Sequence, residues 1–174
     1  MQPTLTKTIK SVLTAISVVS LLSWQSLRAA QVDAMLSQFV GTWKGGVVKE
    51  EGARPATEDM LKIQPAINHE FLQIELQRKS ADKQGSYEGK GFLTSDQGKY
   101  FLHWFDTDGA HRQYVGEQSG NGVLQFVTTT ESEKLKLTLS LQKGNELEIT
   151  LEHGNTLYQR LVYSKINRYA EATQ

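Results

Sequence analysis

The chain has 174 residues, with 19 basic and 19 acidic side chains, 3 prolines and no cysteine. That length and balance describe a single domain. The lack of cysteine excludes disulfides, thiolate chemistry, a cysteine-borne lipid anchor and cysteine-ligated zinc, and the unclustered Lys and Arg give no nucleic-acid-binding face.

Residues 1–30 stand apart from the rest. Lys7 and Lys10 precede the apolar run SVLTAISVVSLLSW over 11–24, and the segment contains no acidic residue. A basic stretch followed by an apolar run shorter than the roughly 20 residues of a membrane span has the form of a secretory signal peptide. Cleavage after Ala30 starts the mature chain near Gln31. Arg28, where a small residue is usual, leaves retention as an anchor open as the alternative. Loss of Lys7, Lys10 and Arg28 lowers the basic count from 19 to 16 against 19 acidic groups, a net charge of −3. The expectation is a periplasmic or secreted domain over 31–174 with no stable membrane insertion.

Asp33 stands where an N-cap is needed for a short helix in DAMLSQF, 33–39. From Gly41 onward the pattern has period two. The spacing predicts ten strands, near 41–50, 57–65, 70–79, 86–95, 99–106, 111–118, 123–130, 133–143, 146–153 and 156–166. In EKLKLTLSLQ, Leu135, Leu137, Leu139 and Leu141 share one face; in ELEITLE, Leu147, Ile149 and Leu151 oppose Glu146, Glu148 and Glu152. Each is a half-buried strand. DQGK, DTDGA, SGNG, KGN and HGNT put Gly and Asn where tight hairpins need positive φ. Such a meander leaves sticky edges unless it closes on itself. The predicted fold is therefore all-β, a single closed antiparallel up-and-down barrel of about ten strands with a short N-terminal helix.

Hairpin register assigns side chains to the two faces. A two-residue turn at Gln97 and Gly98 pairs Gly91 with Trp104 and Leu93 with Leu102. Tyr100, Leu102 and Trp104 then face the lumen, and the glycine leaves the indole room to lie across it. Phe92, Phe101, Phe105 and His103 fall on the outer face, an apolar patch that a loop, the helix or a second copy in a homodimer would cover. A two-residue turn at Gly154 and Asn155 pairs Ile149 with Arg160 and Leu151 with Tyr158, which points both inward. A buried guanidinium needs a partner. The partner is a ligand carboxylate, an internal Glu or Tyr, or the Trp43 ring.

A short helix, then G-x-W in FVGTWKGG, then a meander ending in a Tyr- and Arg-rich strand resembles the calycin-like barrels: lipocalins, fatty-acid-binding proteins and nitrobindins. The resemblance covers 33–166. FLHWFDTDGAHRQYVGE, with its W-x-D-x-x-G spacing, looks like a secreted bacterial family of this barrel type that has no assigned function. The resemblance implies that Trp43 plugs the closed end of the barrel, with Gly41 and Gly45 letting the backbone bend around it. It also implies an Arg and a Tyr on the last strand holding a ligand carboxylate, with Arg160 and either Tyr158 or Tyr163 of YQRLVY as the matching positions.

The remaining motifs narrow the chemistry. A haem would need an axial ligand, and His69, His103, His111 and His153 are scattered singly, none matching the nitrobindin position. Asp106, Asp108 and Gly109 read as a turn rather than a calcium loop, and no metal site is expected. No G-x-S-x-G, H-E-x-x-H or phosphate loop is present. The expected function is non-catalytic binding of a small hydrophobic or amphipathic ligand by Arg160, Tyr158, Trp104, Tyr100 and Leu102. Two alternatives stand beside it: a nitrobindin-like haem protein acting on nitrogen oxides, and a filled structural barrel acting through its outer aromatic patch.

Overall fold

The computed structural model describes residues 33–50, 58–79, 86–130, 134–143 and 145–166. The expected signal segment 1–30 lies outside the described residues. A helix, α1 (Ala34–Ser37), is followed by β1 (Gly41–Glu50), β2 (Glu58–Ala66), β3 (Phe71–Lys79), β4 (Ser86–Asp96) and β5 (Lys99–Asp106). β6 (His111–Gly120), β7 (Val123–Thr128), β8 (Leu135–Gln142), β9 (Glu146–His153) and β10 (Thr156–Lys165) complete the chain. Sequence neighbours pair antiparallel throughout, and β1 pairs with β10 to close the barrel. The all-β closed barrel expected from the pattern is the fold observed. No helix among the described residues is long and apolar enough to cross a membrane.

The meander gives the barrel two different ends. Odd-numbered strands start, and even-numbered strands finish, beside α1: Gly41 pairs with Ile63, and Trp43 with Lys165. Asp33 caps α1 by accepting from the Met35 amide at 2.7 Å. Met35, Leu36 and Phe39 then join one buried cluster with Trp43, Leu72, Leu93, Leu124, Phe126 and Leu147. This end is solid.

Turn chemistry sets most registers. Gln97 and Gly98 have φ of 48° and 79°, the mirror-image turn that suits strand twist, and Gly91 faces Trp104 with Leu93 facing Leu102, as expected. The last hairpin differs. It begins regularly, Thr156 with His153 and Leu157 with Glu152, but Tyr158 is then left over as a bulge, and Gln159 pairs with Leu151 and Leu161 with Ile149. One extra residue reverses the facing of everything after it. The expected inward Arg160 is thus corrected: it lies outside, its Nε and Nη2 each donating at 2.9 Å to the Glu148 carboxylate. That guanidinium holds the Glu148 carboxyl below its usual range.

Candidate functional site

The lumen away from α1 is not filled. A cavity of about 590 Å³ lies there, inside the range of small-molecule sites. Its two sides differ in chemistry. On β8 and β9, Leu135, Leu137, Leu139, Ile149 and Leu151 form an aliphatic wall, the outcome of the leucine alternation. On β2 to β6 the inward stripe of each strand ends in a polar residue toward this end of the barrel. Asp59 extends Leu61 and Ile63, Arg78 extends Ile74 and Leu76, Asp106 extends Leu102 and Trp104, and Arg112 precedes Tyr114.

Asp59 and Arg78 are direct cross-strand partners. The Arg78 Nε donates to both carboxylate oxygens at 3.1 Å and its Nη2 to Oδ2 at 3.0 Å. Asp59 is 0% exposed, so the bidentate pair is what makes its charge tolerable there. A third member comes from two strands away: the Tyr163 hydroxyl donates to Asp59 Oδ2 at 3.2 Å. Gly45 makes this reach possible, because it is paired with Asp59 on one side and Tyr163 on the other. A Cβ at Gly45 would collide with the Val162 carbonyl and the Tyr163 backbone. Burial pushes the Tyr163 hydroxyl up, and the neighbouring Asp59 carboxylate acts in the same direction. The group therefore stays a donor.

A second polar group adjoins the first. Arg78 lies 5.7 Å from the centroid of the Tyr87 ring, its cross-strand neighbour on β4. The Tyr87 hydroxyl donates to Asp106 Oδ2 at 3.2 Å and accepts from the Trp104 indole at 3.3 Å. Burial is the main force that pushes this hydroxyl up to about 12, with Asp106 adding to it. Arg112 Nη1 also reaches Asp106 Oδ2, at 3.3 Å. The other oxygen of Asp106 accepts from the amides of Asp108 and Ala110 at 3.1 and 3.0 Å. One aspartate thus fixes the DTDG turn and anchors the cavity wall. Trp104 lies over Gly89 and Gly91, where any Cβ would overlap its ring.

Among the residues expected at the site, Leu102, Trp104 and Tyr158 line the cavity, Tyr158 at the rim through its bulge and 42% exposed. Tyr100 faces inward but is packed in the buried cluster rather than on the cavity wall, and its hydroxyl is raised by burial and by Asp33. Arg160 is outside. Trp43 is 1% exposed at the α1 end, its indole donating to the Phe39 carbonyl at 3.0 Å. The cation over its ring is Lys165, at 5.0 Å, rather than Arg160. Gly41 leaves space for the Lys165 stem. Tyr163, the alternative to Tyr158 as the tyrosine expected beside Arg160, lines the cavity but donates to Asp59. Asp59, Arg78, Tyr87, Asp106 and Arg112 were not among the expected site residues. Each continues or begins a period-two apolar stripe, a signal already present in the sequence.

His153 borders the cavity, whereas His111 stacks on Phe105 on the outer face with ring centroids 4.5 Å apart. Among the described residues no three His, Asp or Glu side chains gather as metal ligands. No family model and no curated protein matches the chain. Solved structures similar to it include a de novo designed fluorescence-activating β-barrel, with 14% identity, a TM-score of 0.46 and coverage of 78% of this chain and 100% of that one. A redesigned β-barrel is similar at 13% identity and a TM-score of 0.48, over 79% of this chain and 99% of that one.

Proposed function

We propose that this protein holds a small apolar or amphipathic molecule in the lumen of its barrel. The observation that carries the reading is the cavity of about 590 Å³ with aliphatic side chains on one side and hydrogen-bonding groups on the other. Such a space binds through burial of apolar area, and a few placed polar groups orient what enters. Catalysis is not part of the proposal, because Asp59 and Asp106 are engaged in ion pairs and turn bonds and Asp108 is exposed at the rim. Native mass spectrometry of gently purified protein is expected to show an added mass that is released on denaturation. Titration of the stripped protein with Nile red should give saturable fluorescence. A protein that carries no added mass and leaves the dye dark would count against the reading. We further propose that the chain is exported, with residues 1–30 as its signal; N-terminal sequencing of the mature protein should begin near Gln31.

A further inference from the structure

The two guanidinium groups on the cavity wall each face a carboxylate already. Arg78 grips Asp59, and Arg112 contacts Asp106. Neither carboxylate can step aside. Asp59 is fully buried and also held by Tyr163, and Asp106 is tied to two turn amides and to Tyr87. Asp108 adds a further carboxylate at the rim. Among the described residues, three carboxylates therefore stand around these two guanidinium groups.

Building on the lumen-binding reading above, we infer that the ligand's polar head is uncharged and carries hydroxyl or amide groups, and that an ionised carboxylate is selected against. An entering carboxylate would give up its water. It would meet cations whose charge is already offset, with Asp106 and Asp108 close enough to repel it. A hydroxyl or amide head has no such difficulty. It can donate to the carboxylate oxygens and accept from Arg112, and it leaves both ion pairs in place. Among the described residues an ammonium head would find an excess of negative charge only at Asp108, which is exposed, and there the gain is small.

Competition against Nile red tests this with three dodecyl amphiphiles at neutral pH, below their micellar concentrations: 1-monolauroylglycerol, laurate and dodecylammonium. Monolauroylglycerol is expected to displace the dye at a concentration about tenfold or more below that of laurate, with dodecylammonium between them. Asp108→Asn should narrow the gap between laurate and monolauroylglycerol by a few fold, since its side chain is exposed and the turn bonds use backbone amides. Laurate competing as well as monolauroylglycerol, dodecylammonium competing best, or a gap unmoved by Asp108→Asn would each overturn the inference while leaving lumen binding intact. If Nile red and all three amphiphiles fail to bind folded protein, the lumen-binding reading itself is overturned and this inference with it.

Discussion

Tyr87 shows how one hydroxyl ties the cavity wall to the stability of the fold. Its proton is held to about 12 in the folded chain against 10.0 for the free side chain. Between those values the unfolded chain binds fewer protons than the native one, so this contribution is full below pH 10 and is lost as pH rises toward 12. Tyr163, raised in the same direction, adds to the same decline. Urea titrations at stepped alkaline pH should show stability falling over this window, with a shallower fall in Tyr87→Phe. Superimposable profiles for the two proteins would mean that Tyr87 ionises as freely in the fold as outside it. Arg160 behaves in the opposite way. Its pair with Glu148 is on the outer surface, where solvent screens it. Arg160→Gln should therefore leave both the melting temperature and Nile red affinity unchanged; a loss of dye affinity would mean that the bulge does not persist in solution.

At the level of strands and turns, the fold was readable because each strand repeats one rule. All ten fall within two residues of the spans the alternation predicts, and Gln97-Gly98 set its register from turn chemistry alone. The tenth strand was misread because two rules conflicted there. The Gly154-Asn155 turn counts Arg160 inward, whereas burial needs Leu161 and Tyr163 inside, and the bulge at Tyr158 keeps the turn while settling the conflict for burial, which leaves Arg160 outside. Tyr163, the more demanding side chain, decided the outcome, and the same parity argument would have placed Asp59, Arg78 and Arg112 inside. Whether the lumen is filled is a different matter. It depends on how side-chain volumes sum across strands far apart in the sequence, which alternation does not report. A second conflict lies in the turn after β2. Ile67, Asn68 and His69 have φ of 49°, 55° and 65°, a left-handed run that a β-branched residue adopts at a penalty. Ile67 is 59% exposed and has little packing to lose. Ile67→Gly is expected to raise stability by about 0.5–1 kcal/mol, the relief of strain less the added freedom of the unfolded chain. Denaturant midpoints would register it, and a drop would show that the isoleucine packs on something it needs.

For the molecule as a whole, a solid end and a hollow end divide two tasks. The α1 end supplies cohesion, and Trp43 is its largest fully buried side chain. Trp43→Ala should cost about 3–5 kcal/mol in equilibrium denaturation, and a loss below about 1 kcal/mol would show the tryptophan to be dispensable there. The hollow end also contributes to closure, through the bond from Tyr163 to Asp59. That bond joins β10 to β2 across the side-chain gap at Gly45 and links residues 104 positions apart in the chain. Every strand pairing besides β1–β10 joins consecutive strands, which can zip locally as hairpins, while the β1–β10 seam must wait for the ends of the barrel to meet. A latch spanning that seam is expected to form after the rate-limiting barrier, in which case its removal speeds opening without slowing folding. In stopped-flow chevrons, Tyr163→Phe is expected to raise the unfolding rate and leave the refolding limb in place. A slowed refolding limb would instead mean that the seam is laid down early, with the hairpins gathering around a ring already closed.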